Sequence, residues 1–264
     1  MIEIDINLIR DMLKNGKRLD SRNMEEYRKI HIETGIIQQA EGSSRVRLGD
    51  TEVIAGVKMG LGKPYPDSPD EGVLSVAAEL VPFASPEFES GPPGEQAIEL
   101  ARVVDRCIRE SKMIDTEKLC VKEKEHVWMV YVDLEVLNDD GNLIDTACLA
   151  AVAALLSTKI PVIEYDGETP VVSLEKKSGK LPIRGIAVTT TFVKIGSSII
   201  TDPGLTEIGA ADARLSIGSL ENKLCSMQKG GSYGFSVEEI EKIVDLALEK
   251  GDELRKHLEQ VVMN

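Results

Sequence analysis

One segment constrains this chain more than any other. From Asn142 to Thr158 the sequence reads Asn-Leu-Ile-Asp-Thr-Ala-Cys-Leu-Ala-Ala-Val-Ala-Ala-Leu-Leu-Ser-Thr. Alanine and leucine are strong helix formers, so this is a helix, and it is apolar on nearly every face. Such a helix has to be covered on all sides. Its longest apolar run, Ala147 to Ser157, is too short for a bilayer, which takes about 20 residues to cross. The cover is therefore protein, and the helix sits between layers of the fold. Pro161 marks its end. A chain of 264 residues has room for one large domain or two smaller ones, either able to enclose such a helix.

The flanking sequence supplies the layers. Asp5 to Asn15 reads as a short amphipathic helix with Ile6, Ile9 and Leu13 on one face and Gly16 as its stop. Gly16 to Arg22 reads as a basic, solvated linker. Strand patterns follow at Ile30 to Thr34, Arg45 to Leu48 and Thr51 to Met59, with Gly49-Asp50 as a hairpin turn. Gly60 to Gly72 is rich in glycine and proline and reads as irregular; Val73 to Val81 resumes the sheet. After a Pro/Gly loop, Glu95 to Arg109 is a helix with Ile98, Ala101, Val104, Cys107 and Ile108 on its apolar side, and Trp128 to Leu137 is an alternating strand closed by the turn Asp139-Asp140-Gly141. A second half opens near Leu181, with strands at Ile186 to Val193, Ser198 to Thr201, Ala213 to Ile217 and Leu224 to Met227. Ser236 and Glu239 form a capping box for a helix reaching Met263, with Ile240, Val244, Leu248 and Leu254 as its core stripe. Strands then helices appear twice, so the expected class is α+β with an internal duplication, divided into halves 1–180 and 181–264.

Several functions are disfavoured. A net charge of -14 is the reverse of the basic footprint of a stand-alone nucleic-acid binder, so any such binding has to rest on a few placed arginines. At 4% aromatic residues there is no platform for stacked bases. Cys107, Cys120, Cys148 and Cys225 are scattered and form no Cys-x-x-Cys pair; His31, His126 and His257 have no second histidine at ligand spacing. Neither a disulfide framework nor a metal site is expected. No phosphate-cradling Gly-x-x-x-x-Gly-Lys loop and no Gly-x-Ser-x-Gly elbow occur. Residues 1–17 mix charges with apolar residues, unlike a leader's apolar core. A cytoplasmic protein without cofactor is the expectation.

The order of the motifs is more specific than any one of them. Arg18-Leu19-Asp20-Ser21-Arg22 resembles the Arg-x-Asp-Gly-Arg opening of the ribonuclease PH family. Glu41-Gly42-Ser43-Ser44-Arg45-Val46-Arg47-Leu48-Gly49-Asp50-Thr51-Glu52-Val53 is similar to its Gly-Ser, Gly-x-Thr-x-Val hairpin. Glu99 to Arg109 is similar to its arginine-bearing helix, and Asp139-Asp140-Gly141-Asn142 to the Asp-Gly turn before its alanine-rich helix. The resemblance extends from about Lys17 to Val262. It implies a ribonuclease PH-like α+β fold, a duplicated ββαβα unit of the ribosomal protein S5 domain 2-like type. It also implies phosphorolysis, in which inorganic phosphate attacks the 3′-terminal phosphodiester of RNA. That chemistry needs cationic donors for phosphate and carboxylates for a metal ion or proton.

This sequence departs from the active pattern at two places. Against the family's two catalytic aspartates, Asp212 matches the second and Thr206 stands at the first, with Glu207 beside it; a threonine does not hold a divalent cation as a carboxylate does. The family's phosphate-binding arginine falls on Gln96, and a neutral amide does not replace a guanidinium fork. The resemblance is therefore to the non-catalytic ring subunits of the archaeal exosome, and implies no catalytic residue and no metal. The implied partners are a catalytic ribonuclease PH-like subunit in a hetero-hexameric ring, single-stranded RNA and RNA-binding cap proteins. Arg102, Arg106 and Arg109 stand at i, i+4 and i+7 on one helix face. Read without the family, they are a solvated face paired with Glu99, Asp105 and Glu110. The resemblance turns Arg102 and Arg106, and less firmly Arg109, toward RNA phosphates, with Lys63 and Lys58 beside the path. Two other readings stay open: an active phosphate-dependent exoribonuclease, and a small-molecule enzyme on a similar scaffold.

Overall fold

The computed structural model describes residues 6–167 and 169–262. In chain order the first half contains α1 (Ile6–Lys14), β1 (Ile30–Thr34), β2 (Gly42–Leu48), β3 (Thr51–Gly62), β4 (Val73–Leu80), α2 (Glu95–Glu110), β5 (Cys120–Lys122), β6 (His126–Asn138) and α3 (Leu143–Ser157). The rest contains β7 (Lys159–Asp166), β8 (Thr169–Lys180), β9 (Ala187–Ile195), β10 (Ser198–Thr201), α4 (Leu205–Gly209), β11 (Ala213–Leu220), β12 (Lys223–Gly231) and α5 (Val237–Val262). The first sheet has the order β1-β2-β3-β6-β4, with β5 beside β6. Among the described residues its one parallel pair is β4 with β6, joined through the α2 crossover. The second sheet runs β10-β9-β11-β12 and is antiparallel throughout. Among the described residues no helix is long and apolar enough to cross a membrane.

The all-apolar helix lies where its composition requires. Every residue of α3 from Ile144 to Leu155 is buried. It packs on β2 and β3 of the first sheet, on β9 of the second, and on α2 and α5. Close approach is built in: a Cβ at Gly42 would collide with Thr158 Oγ1 and the Ala154 carbonyl, so β2 can lie directly on the end of α3.

Several expectations shift. Gly60 to Gly62 belong to β3, whose pairing with β6 runs on to Gly62 opposite Val127. The ribbon of β7 and β8 has no counterpart in the sequence reading; its Pro161, taken as the helix stop, lies inside β7, and α3 already ends at Ser157. The expected start of α1 at Asp5 and end of α5 at Met263 lie outside the described residues. Ile9 and Leu13 are buried as expected, whereas Ile6 is exposed. On α2, Ile98 is half exposed, because the buried face follows Ala97, Leu100, Ala101, Val104 and Ile108. The capping box of α5 forms as expected, with the Ser236 N–H donating to Glu239 and the Glu239 N–H to Ser236 Oγ. Of its expected core stripe, Leu254 is buried and Val244 packs against the core, but Ile240 is exposed, and Ile243, Ala247 and Leu258 complete the buried face. Small residues set that face, since a Cβ at Gly251 would stand 2.7 Å from Ser219 Oγ.

The largest correction concerns Gly16 to Arg22. This segment is not a solvated linker but ties the N-terminal strands to the second sheet. Upstream, Ile9 and Leu13 of α1 pack on Val193, Ile195, Ile200 and Ala210. Arg18 is buried, and its fork donates to both carboxylate oxygens of Glu207 at 2.9 and 2.6 Å and to the carbonyls of Thr201 and Asp202. Arg22 Nη1 and the Arg28 guanidinium converge on Asp202, which also accepts from Asn142 Nδ2 at 2.8 Å. Burial pushes the Asp202 carboxyl up, but the hydrogen bonds and charge of Arg28 outweigh it and hold the group below the usual carboxylate range. Asn142 also donates to Asp145, which accepts from Tyr27 and from the N–H and hydroxyl of Thr191. Burial pushes Asp145 up to about 6, and these donors only limit the rise. The turn before α3 abuts the same knot, since a Cβ at Gly141 (φ +90°) would stand 2.6 Å from Gly204 C and Leu205 N.

Removing one partner from a buried ion pair leaves the other charge uncompensated, at a cost of about 3–5 kcal/mol. Arg18→Ala is expected to lose stability on that scale in urea unfolding. Arg18→Met combined with Glu207→Leu, which removes both charges, is expected to recover most of the loss. A single variant within about 0.5 kcal/mol of the parent, as for a surface change, would show that the pair does not hold the two halves together.

Candidate functional site

Two neighbouring surfaces on α2 carry the residues singled out in the sequence. The first is a cleft between the α2 N-terminus, the 139–142 turn and α4. Its lining includes Glu87, Gln96, Glu99, Asp139, Leu205 and Ile208. Gln96 and Thr206 are both exposed, on the first turns of α2 and α4. Burial, aided by Asp140 and Glu87 nearby, pushes the Asp139 carboxyl above its usual value against the N–H of Gly141. Arg214 reaches the cleft, but its Nη2 pairs with Glu99 at 2.5 Å. A phosphate here would meet carboxylates and an arginine already engaged.

The two acidic residues that could have served chemistry are both committed to structure. Glu207 turns inward to Arg18, and its Oε2 accepts the N–H of Gly204 at 2.8 Å, closing the first turn of α4. Asp212 pairs with Arg10 at 2.7 Å and accepts the N–H of Gly196 at 2.6 Å, fixing the β9–β10 turn. Both carboxylates are thus engaged within the fold.

The second surface is a groove of about 340 Å³ between α2 and β12, lined by Ile98, Arg102, Arg106, Met227 and Gln228 among others. Ile98, Arg102 and Arg106 are spaced by four residues and share one helix face, which is why Ile98 leaves the core. Arg102 and Arg106 are exposed, and neither makes an ion pair or hydrogen bond among the described residues. Two of the three acids expected to neutralise them, Glu99 and Asp105, are drawn elsewhere, and Glu110 makes no ion pair with either arginine among the described residues. Glu99 is taken by Arg214, with Gln228 Nε2 3.4 Å away. Asp105 is held by both Nε and Nη2 of Arg109, at 3.0 and 2.7 Å.

Arg109 is thereby a structural group. Its Nη2 also donates to the Leu74 carbonyl at 2.9 Å, which ties α2 to β4, and Asp105 pushes its guanidinium further up. Lys58 is bound to Glu41 and the Gln39 carbonyl. Lys63 is exposed just past β3, outside the lining of the groove. The structure thus brings Arg102 and Arg106 together and leaves Arg109 and Lys63 apart from them. Met227 and Gln228 were missed in the sequence because a strand alternation does not say which helix its exposed face will meet.

Comparison with known proteins agrees with this architecture. Residues 26–161 match the model of the 3′ exoribonuclease family, domain 1, and residues 185–250 that of domain 2. The exosome complex component Rrp42 of Methanothermobacter thermautotrophicus is 49% identical over 259 residues, covering 98% of this chain and 95% of that protein. Its namesake in Thermococcus gammatolerans is 49% identical over 266 residues, covering 99% and 97%. A chain of the Archaeoglobus fulgidus exosome solved with RNA bound to the active site superposes with a TM-score of 0.88 at 43% identity, covering 97% of this chain and 99% of that one. A chain of an archaeal exosome core gives 0.83 at 39% identity, covering 96% and 97%. With both domains matched in order and near-complete coverage by relatives close to half identical, the chain belongs to the 3′ exoribonuclease, or ribonuclease PH, family.

Proposed function

We propose that this chain is a non-catalytic subunit of an exosome-type ring: it grips RNA beside the active site of a catalytic ribonuclease PH-like neighbour and does not cut RNA itself. The observation that carries this reading is the contrast between the two surfaces on α2. At the cleft where phosphorolysis would occur, Gln96 stands in place of the family's arginine, Thr206 on the adjoining first turn of α4 stands in place of its aspartate, and Glu207 and Asp212 are bound within the fold. In the adjoining groove, Arg102 and Arg106 have no partner among the described residues. A guanidinium held free of internal carboxylates is available to fork onto phosphate oxygens. The names of the relatives, and the RNA bound in the similar Archaeoglobus assembly, support the same role.

The division of labour follows from charge. At a net -14 this chain repels RNA over most of its surface, and a local pair of arginines directs the strand to one groove. Contacts to phosphate carry little sequence information, which suits a degradative complex. A ring of like folds buries large permanent interfaces, and the acidic chain suits a less acidic neighbour. The neighbour supplies the carboxylates and phosphate donors of the reaction; this chain supplies position.

The purified chain alone is expected to release no nucleoside diphosphate from poly(A) with phosphate and magnesium. Turnover in the ordinary enzymatic range of about 1–10³ s⁻¹ would overturn the non-catalytic reading.

Arg102→Ala together with Arg106→Ala is expected to leave the ring assembled, weaken RNA binding and slow the partner's degradation, much the same for different RNA sequences. Each lost phosphate contact flattens the salt dependence of binding to a single strand by a slope of roughly 0.7, so the defect should shrink as salt rises. Titration of RNA affinity against salt, with gel filtration for assembly, checks this. Unchanged affinity and rate at every salt concentration would return both arginines to a solvated face.

A further inference from the structure

The two walls of the arginine groove meet behind it at a cluster of thiols. Cys107 on α2 lies with its Sγ 3.8 Å from Cys148 Sγ on α3. Cys225 on β12 donates its S–H to the Cys107 carbonyl at 3.6 Å. Gly218 on β11 borders the sulfurs of both Cys225 and Cys107, since a Cβ there would lie 3.0 Å from Cys225 Sγ and 3.1 Å from Cys107 Sγ. Cys107 and Cys148 are fully buried, and Cys225, on the edge strand of the second sheet, is partly open to solvent. An oxidant reaching this cluster therefore meets Cys225 first.

The environments of the two thiols differ in the same sense. The Cys107 side chain as a hydrogen-bond donor to the Cys225 sulfur, aided by Ser226, holds the Cys225 thiol below the usual range against its partial burial. Hydrogen bonding with Cys148 and Cys225, together with burial, pushes Cys107 well up. A reachable thiol of lowered pKa beside a second thiol is the arrangement of an attacking and a resolving cysteine. Cys120 is also partly exposed, but no thiol contact of this kind is formed by it among the described residues.

We propose that Cys225 and Cys107 form an oxidisable pair whose disulfide staples β12 to α2. The oxidant is a hydroperoxide. The Cys225 thiolate attacks the terminal peroxide oxygen, the O–O bond breaks, and the alcohol or water leaves with a proton, giving a sulfenic acid on Cys225. The Cys107 sulfur then attacks the Cys225 sulfur; the S–O bond breaks, the S–S bond forms, and hydroxide leaves as water with the Cys107 proton. Two thiols lose two electrons and two protons, and the peroxide takes them up. Cys225 immediately precedes Ser226 and Met227, and Cys107 follows Arg106, all of which line the groove. The disulfide would therefore fix the spacing of its two walls. This chemistry is independent of the ring and RNA roles and holds for the isolated chain.

The test treats the reduced chain with hydrogen peroxide, blocks remaining thiols by alkylation in denaturant, and maps peptides by mass. The expected result is loss of two hydrogens and two alkylatable thiols in a single peptide pair containing Cys107 and Cys225, reversed by dithiothreitol, with Cys120 still alkylated. In Cys225→Ser the Cys107-containing disulfide is expected to disappear. In Cys107→Ser, Cys225 should instead gain oxygen as sulfinic and sulfonic acid, with circular dichroism confirming the fold of each variant. Two results would overturn the proposal: no cross-linked peptide once Cys120 has begun to oxidise, or a disulfide at Cys107 that persists in folded Cys225→Ser.

Discussion

The structure depends on a buried knot of arginines and carboxylates between its two sheets. Arg18, with no exposed side chain, grips Glu207, and Arg22 and Arg28 close on Asp202. In a low-dielectric interior such charges are stable only when each finds its partner and its remaining hydrogen bonds. Here the remaining donors reach backbone carbonyls at Thr201, Asp202, Asp140 and Gly141. The knot fixes three otherwise independent pieces, namely the segment after α1, the turn before α3, and the loop leading into α4. Asp202 itself sits in the left-handed region at φ 50°, a conformation its side-chain bonds to three residues over-determine.

This arrangement is also what the proposed function rests on. The loop that would present a catalytic carboxylate is pulled inward by Arg18 through Glu207, and Asp212 is turned onto Arg10. What faces the cleft is Gln96, apolar side chains, the acids Glu87 and Asp139, and Arg214 paired with Glu99. On α2 the opposite has happened: Arg214 and Arg109 draw Glu99 and Asp105 away from Arg102 and Arg106. In the proposed function, one set of ion pairs removes acids from a reaction, and another frees cations for a polyanion.

Much of the fold was legible because it rests on local patterning. The apolar run Asn142 to Thr158 announced a covered helix, and the alternations around Gly49-Asp50 announced a hairpin. What could not be read depended on partners distant in the chain. Arg18 looks like a linker residue until Glu207, 189 positions away, is placed beside it. Ile240 and Ile98 fit a helical stripe by spacing alone, yet the small residues Gly251 and Ala97 set the contact faces. In the candidate site, the spacing of Arg102 and Arg106 was visible and their freedom was not, since it follows from Glu99 meeting Arg214, 115 positions away. The ribbon of β7 and β8 carries its own hairpin signal, Asp166-Gly167 between β-rich runs, which the sequence reading missed because Pro161 interrupts the first run.

The central claim is that the family's surviving aspartate is structural in this chain. It is tested most directly by Asp212→Asn in the assembled ring with an unmodified catalytic neighbour, measuring the rate of phosphate-dependent degradation of single-stranded RNA. Asparagine keeps an oxygen for Arg10 and removes the charge that a metal ion or proton transfer would need. An unchanged rate with the ring intact is the predicted result. A fall of the rate to that of a ring whose catalytic neighbour lacks its own carboxylate, with assembly preserved, would contradict the account.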